Sequence, residues 1–430
     1  MKLQVPDWRI NLSPELFKKV VERRKDFDSI IQHATKNYAF WDEFKYYPLP
    51  KDISHEEAWA YVKFTRLSQY ENTPVKSIGG KPFTFALTKT MYQKLNYIDS
   101  HAGNMLTTDW NPTINQKNRL LLSGLTEEAI ASSQIEGANT SRKVAKEMLL
   151  TNRKPRTVSE QMIINNFKVM QKLQEYKNLE LSKEILIEMQ RIITEGTLDN
   201  PVDSGRLRND SDGIAVVEKL TGDVVFTPPK REIMEAELEK LISFANTTES
   251  SDNFLHPVIK GSILHFWLAY LHPFVDGNGR TARSLFYWYM LKSNYWLFQY
   301  LTVSRVILKS KTSYDNAFLF SEKDDNDLTY FLIYKLKTID NSLDNFINYY
   351  KKKIDHEEKI KKLSSIKLEL NERQISLLTY VIDYPNSKLT ISNHQIKHQI
   401  AYESSRRDFI SLVSKGYLTQ ATRGKNFFFY

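Results

Sequence analysis

The residues best equipped for chemistry stand in one unbroken string: His272-Pro273-Phe274-Val275-Asp276-Gly277-Asn278-Gly279-Arg280-Thr281-Ala282-Arg283. Pro273 disfavours helix at His272, so the helical apolar spacing of Ile263–Leu271 stops there. Gly277, Asn278 and Gly279 form a loop with little bulk, which lets backbone N–H groups approach an anion. A helix opening behind the loop adds unpaired N–H donors and the favourable end of its dipole. Arg280 and Arg283 stand one turn apart and can point toward the same anion. Asp276 offers a hard oxygen of the kind a magnesium–phosphate complex requires. His272, with an ordinary pKa of about 6.5, suits a general base. These side chains together describe phosphoryl or nucleotidyl transfer.

Rival readings of the string are weaker. Gly277-Asn278-Gly279-Arg280-Thr281-Ala282 also fits G-x-G-x-x-A, but dinucleotide binding needs a preceding strand and an acidic residue about 20 positions on. The preceding segment has helical spacing, and no Asp or Glu occurs between Asp276 and Asp315. His256, His265 and His272 fit no metal-ligand spacing. The P-loop pattern G-x-x-x-x-G-K-[ST] is absent, and the lack of cysteine excludes disulfides, thiolate zinc sites and cysteine nucleophiles.

The elements that must position this loop are mostly helical. Apolar spacing predicts helix on either side of it, over Val258–Leu271 and through Leu285, Phe286, Tyr289 and Met290. Further helices are expected over 111–150 (broken by Gly137-Ala138-Asn139), from a Thr157/Glu160 capping box, over Ser182–Thr194 ending at Gly196, and over Glu232–Phe244. Between them Gly213–Pro229 changes period. Val216 and Val217, a turn at Thr221-Gly222-Asp223, then Val224, Val225 and Phe226 predict a β-hairpin. Residues 1–110 are aromatic-rich, with turn signals at Tyr47–Pro50 and Ile78–Pro82, and read as a helical region of unassigned role.

The 430 residues allow two or three domains, and 41% hydrophobic content fills their cores. A net charge of +9 suits an anionic partner or merely lysine-rich solvated faces. The first residues lack the apolar segment of a signal peptide, and no stretch approaches the roughly 20 apolar residues of a membrane span. The expectation is a soluble cytoplasmic protein with no membrane partner.

The string resembles the full signature of Fic-domain proteins, HPF-x-[D/E]-G-N-G-R-x-x-R. Its surroundings agree: Gly205-Arg206-Leu207-Arg208 is similar to the family's G-x-[F/L]-R segment, and the hairpin ending Val225-Phe226-Thr227-Pro228-Pro229 resembles its target-positioning flap. The resemblance covers about residues 115–300. It implies a mainly α fold, a Fic helical core with a β-hairpin flap. It also implies a protein adenylyltransferase: His272 deprotonates a Tyr, Thr or Ser hydroxyl on a target protein or on the chain itself. Asp276 holds Mg²⁺, Gly277, Asn278 and Gly279 cradle the phosphates, and Arg280 and Arg283 bind the β/γ end of ATP. The flap strand Val224, Val225 and Phe226 aligns the target backbone.

Upstream, Ser132-Ser133-Gln134-Ile135-Glu136-Gly137 resembles the family's inhibitory motif [S/T]-x-x-x-E-[G/N], on a helix near 126–137. Ser132 and Glu136 share a helix face and Gly137 closes it. The resemblance implies that Glu136 pairs with Arg283 and holds ATP in an unproductive pose. De-AMPylation, or transfer from another nucleotide, is the alternative within the same chemistry.

Beyond a core assigned to 111–340, a lysine-rich stretch at 341–365 reads as a helical linker. Residues 366–430 then predict three helices and a β-ribbon turning at Arg423-Gly424-Lys425-Asn426, which resembles a winged helix-turn-helix. Arg406, Arg407 and Lys415 could meet DNA phosphates, with Arg423 or Lys425 on the wing, so a DNA-binding regulator with a nucleotide-sensing core is a further alternative. The family's habit of self-association makes a homodimer a further expectation.

Overall fold

The computed structural model describes residues 5–103, 112–217, 222–248, 254–365, 370–383, 387, 389–423 and 426–429. Expected positions at Asn111, Thr221, Gly424 and Lys425 lie outside them. Four helices open the chain: α1 (Pro14–Glu22), α2 (Arg24–Lys36), α3 (Trp41–Phe44) and α4 (His55–Leu67). Ser54 and Glu57 form a reciprocal capping box that starts α4. Leu16, Phe27, Trp41, Phe44 and Trp59 give this unit its own core. It docks on the rest through buried polar groups. Lys63 pairs with Asp324 at 2.9 Å, and the Tyr38 and Tyr70 hydroxyls donate to Asp327 at 2.7 and 2.6 Å. Charges so placed are tolerated only when paired.

The region 1–110, expected to be helical, also holds a pair of strands. β1 (Glu71–Lys76) and β2 (Pro82–Phe85) make an antiparallel hairpin, followed by α5 (Lys89–Ala102). Thr73 and Val75 on one strand, with Phe83 and Phe85 on the other, turn one face inward. That face needs cover, and the central core supplies it. The Phe83 ring meets Phe266 and Tyr270 edge-on at 5.1 and 5.3 Å. Met91, Leu95 and Ile98 join the same cluster, so the central hydrophobic core draws in residues from Val75 onward.

That core is built from α6 (Ile114–Ile135), α7 (Arg142–Thr151), α8 (Val158–Tyr176), α9 (Lys183–Thr194), α10 (Arg231–Asn246), α11 (Pro257–Leu271), α12 (Asn278–Lys292), α13 (Val303–Lys309), α14 (Lys311–Lys323) and α15 (Thr329–Ser365). The expected hairpin stands between α9 and α10 as β3 (Val216–Val217) and β4 (Val224–Phe226). α11 is apolar on nearly every side and is buried at the centre. α12 folds back on it and packs against α8 and α9.

α6 lies across α8 and α13, and its seat is specific. A Cβ on Gly124 would come within 2.7 Å of the Tyr300 carbonyl, so only glycine allows this approach. Glu128 accepts from the Ser304 N–H at 2.9 Å in the first turn of α13, and Asn166 Nδ2 donates to the Ala129 carbonyl at 3.3 Å.

α15 runs 37 residues without a break. The expected boundary between core and linker at 340/341 therefore falls inside one helix, and Leu343 and Phe346 still belong to the core. α16 (Glu372–Asp383), α17 (Ile391–His398), α18 (Tyr402–Ser414), β5 (Gln420–Arg423) and β6 (Asn426–Phe429) follow in the expected order, around Leu377, Leu389, Phe409 and Leu412. No described helix is long and apolar enough to cross a membrane.

Candidate active site

His272 closes α11 in the left-handed region, at φ 49° and ψ 55°. That backbone costs a non-glycine residue about 1 kcal/mol, and neighbouring groups hold it there. Arg208, itself buried, donates from Nε to the His272 carbonyl at 2.7 Å and from Nη2 to the Pro229 carbonyl at 2.5 Å. Its own N–H donates to the Pro273 carbonyl at 2.9 Å, while Leu207 bridges Phe274 as an antiparallel partner. The imidazole is fixed in turn. Nδ1 lies 3.2 Å from the Ala269 carbonyl, which assigns the proton to Nδ1 and the lone pair to Nε2. Burial pulls the His272 pKa below its ordinary value, against the Ala269 hydrogen bond, which raises it.

The loop after His272 is braced from inside. Asn278 Nδ2 donates to the Phe274 carbonyl at 2.8 Å, and its Oδ1 accepts from the Phe274 N–H at 2.9 Å. The Asn278 side chain is therefore a clamp, and only its backbone is left to serve an anion. Gly277 caps α12 at φ 86°, where a Cβ would press on Thr194 at 3.0 Å. Gln190, fully buried, ties two segments together: Nε2 donates to the Asp276 carbonyl at 3.1 Å and Oε1 accepts from the Gly205 N–H at 2.6 Å.

The two arginines do not converge in this state. Arg280 donates to Asp276 Oδ2 at 2.8 Å and to the Ile193 carbonyl at 3.1 Å. Arg283 is held chiefly by the end of α6. Its Nε donates to Ser132 Oγ at 2.9 Å, its Nη2 to the Ser132 carbonyl at 2.9 Å, and its Nη1 pairs with Glu136 Oε1 at 2.8 Å. Burial works against the Arg283 charge, but Glu136 and Tyr314 outweigh it and raise the pKa. The Glu136 carboxylate also lies directly over Gly279, where a Cβ would collide with it. Gly137, at φ 102°, ends the helix that presents it.

Beside the loop, Val216 pairs with Phe226 and Val217 with Val224. Val217, Val224 and Val225 are exposed, while the Phe226 ring rests 4.9 Å from Tyr270. The Tyr270 hydroxyl accepts from the Ile78 N–H at 3.1 Å, so the turn of the β1–β2 hairpin supports the same residue.

The structure thus gathers His272, Asp276, Gly277, Gly279, Arg280 and Arg283 with Ser132 and Glu136. His256 and His265 go elsewhere: His256 pairs with Asp99 at 3.0 Å, and His265 meets Tyr314 and Lys335. Among the described residues no three His, Asp or Glu side chains cluster as a metal cage. Magnesium needs none, because it keeps waters and phosphate oxygens and takes one or two carboxylates. The half-exposed Asp276 carboxylate at the mouth of α12 fits that role. Sequence reasoning missed the bracing by Arg208 and Gln190. Arg208 stood in a noted segment, but nothing local marks an arginine that serves three carbonyls.

Residues 180–290 match the Fic/DOC family, so a Fic domain occupies the middle of the chain, with the loop inside it. The chain is 33% identical over 116 residues to protein adenylyltransferase fic-1 of Caenorhabditis elegans, covering 27% of this chain and 20% of that protein. It is 29% identical over 119 residues to protein adenylyltransferase Fic of Drosophila grimshawi, covering 28% and 22%. The match spans about a fifth of the length of these curated relatives. Among solved structures, a Fic family protein from Desulfovibrio desulfuricans superposes with a TM-score of 0.49 at 16% identity, over 84% of this chain and 97% of that one. Fic-1 from C. elegans gives 0.49 at 19% identity, over 69% and 78%.

Proposed function

We propose that this chain, built around its Fic domain, transfers AMP from ATP to a Ser, Thr or Tyr hydroxyl of a protein, and that it rests inhibited. The observation that carries the reading is His272 Nε2, without a hydrogen-bond partner among the described residues, at the glycine loop that opens α12, with Asp276, Arg280 and Arg283 around it. The curated relatives, named as protein adenylyltransferases, point the same way.

In the proposed reaction the hydroxyl oxygen bonds to the α-phosphorus and its proton passes to His272 Nε2. The bond from that phosphorus to the oxygen bridging to the β-phosphate breaks, and pyrophosphate leaves. Backbone N–H groups at Gly277–Gly279 and the start of α12 face the phosphates. Mg²⁺ on Asp276 would neutralise charge on the leaving group. Arg280 and Arg283 receive the β/γ end, and the β3–β4 ribbon offers strand edges to the target backbone.

The inhibited state follows from Arg283. A terminal phosphate needs this cation, and Ser132 and Glu136 already use all three of its nitrogens. Incubating Glu136→Gly protein with α-labelled ATP, Mg²⁺ and candidate targets tests the whole reading. Label in protein, with a mass gain of AMP, is expected; no incorporation by either form overturns it. A second reading rests on the partial exposure of Glu136, whose carboxylate could activate a water and release AMP from a modified target. Glu136-dependent discharge of pre-modified protein would favour it.

A further inference from the structure

Where the C-terminal module meets the core, α6, α7, α15, α16 and α17 enclose a cavity of about 140 Å³. Four cations line it: Arg119 of α6, Lys146 of α7, Lys353 of α15 and Lys397 of α17. No described side chain that lines it is acidic. Like charges gathered in this way repel one another, and an anion placed among them relieves the repulsion. Glu127 stands 3.9 Å from Lys146 Nζ outside the lining, but Arg142 already holds both of its carboxylate oxygens. Burial lowers the Lys146 pKa, Glu127 opposes the fall, and Arg142, Lys353 and Arg305 add to it.

Thr126 of α6 faces the same space. It is 1% exposed, and its Oγ1 has no hydrogen-bond partner among the described residues. A helical threonine ordinarily places its hydroxyl on the carbonyl one turn back. Thr338 and Thr379 do so in this chain, at 2.8 and 2.7 Å. A buried hydroxyl left unpaired is costly, and the Thr126 O–H is available to a guest in the cavity. Tyr380 also lines it, with Lys397 Nζ 5.2 Å from the ring centre. Tyr349, 46% exposed, leaves one side open to solvent.

We propose that this cavity binds a small phosphate-bearing molecule, its phosphate group set among Arg119, Lys146, Lys353 and Lys397 with the Thr126 hydroxyl donating to it. Charge selects phosphate over a single carboxylate, because a phosphate monoester carries about −1.5 to −2 at neutral pH. Size selects a small molecule. A cavity of about 150 Å³ admits a benzene ring, so the phosphate fills most of the interior and any remainder lies at the tyrosines. A DNA backbone cannot reach the same hydroxyl, because Thr126 is buried between packed helices. The site shares no residue with the His272 loop and does not rest on the transfer reading. An occupant would join α17 of the C-terminal module to α6, the helix that ends on Glu136.

Calorimetry of the full-length protein with inorganic phosphate and with phenyl phosphate, at fixed ionic strength, tests the site. One equivalent is expected to bind. Tighter binding of phenyl phosphate would identify an aromatic ester whose ring meets the tyrosines, and equal binding would identify free phosphate. Thr126→Val should weaken binding about tenfold, and Lys146→Met by at least as much. Thr126→Val removes a hydroxyl that has no partner, so thermal unfolding without phosphate should find it no less stable than wild type. Absence of binding by both probes, or binding that survives both substitutions, would overturn the proposal. In the latter case, loss of binding in Gly279→Ala would assign the anion to the loop that opens α12. Binding of a short DNA duplex that depends on Lys146, with neither small probe bound, would overturn it in favour of nucleic acid.

Discussion

Glu136 Oε1 stands 2.8 Å from Arg283 Nη1 and at the same time covers Gly279, so one carboxylate both neutralises a cation and fills the mouth of the anion loop. Removing it should open the loop mouth and release Arg283 Nη1 at once, with Ser132 still holding Nε and Nη2. Glu136→Gly is expected to raise the initial rate of AMP incorporation at least about tenfold, a barrier change of about 1.4 kcal/mol. Incorporation of α-labelled ATP measures it, and a rate no higher than wild type would refute the inhibitory contact.

Gly279→Ala separates the two effects. Its methyl would push the flexible Glu136 carboxylate away from Arg283, yet it would stand where the phosphates must approach. The expected result is weaker nucleotide binding than in Glu136→Gly, with the double variant no better than Gly279→Ala. Full activity in the double variant would show that the phosphates do not approach over Gly279.

His272→Ala should abolish transfer, and the pH profile of the Glu136→Gly enzyme should show why. Burial lowers the His272 pKa, so the neutral base persists below the ordinary value of about 6.5. At saturating ATP, turnover should hold through neutrality and fall only on further acidification. Linkage has the same sign: the unfolded chain takes this proton first, so stability is lost as pH falls from about 6.5 toward the folded-state value. A turnover inflection at or above 6.5 that vanishes in no His272 variant would exclude it as the base.

Arg208→Ala should cost about 3 kcal/mol, because it leaves the His272, Pro229 and Leu271 carbonyls without their buried donor. Urea unfolding measures the loss. Arg206→Ala, whose partners Asp203 and Asp212 can turn to water, should lose less.

How much of this was legible in the sequence depended on distance along the chain. The His272–Arg283 string was readable because Pro273, the glycines and the charged residues act within a few positions of one another. Its contact with Glu136 was reached only through resemblance, since helical spacing says nothing about which helix end meets Arg283. The β1–β2 hairpin went unread because Asn72 and Pro74 dilute the strand composition, although Gly79-Gly80 marked its turn. Arg280 was expected to face the same anion as Arg283; in this structure it pairs with Asp276, four residues back in the loop ahead of α12. His265 and Lys335 meet across 70 positions, where no local pattern could join them.

The unbroken course of α15 has a consequence for how such a protein could be taken apart or recombined. At about 1.5 Å per residue its 37 residues make a rod of about 55 Å. Phe331, Leu336 and Leu343 plug the core, and Phe346 stacks on Tyr300 at 5.9 Å. A fragment cut at residue 340, where composition suggests a seam, would lose part of its own interior. α17 also packs on α6 and α7, so what must be kept together is longer than the motif that does its chemistry.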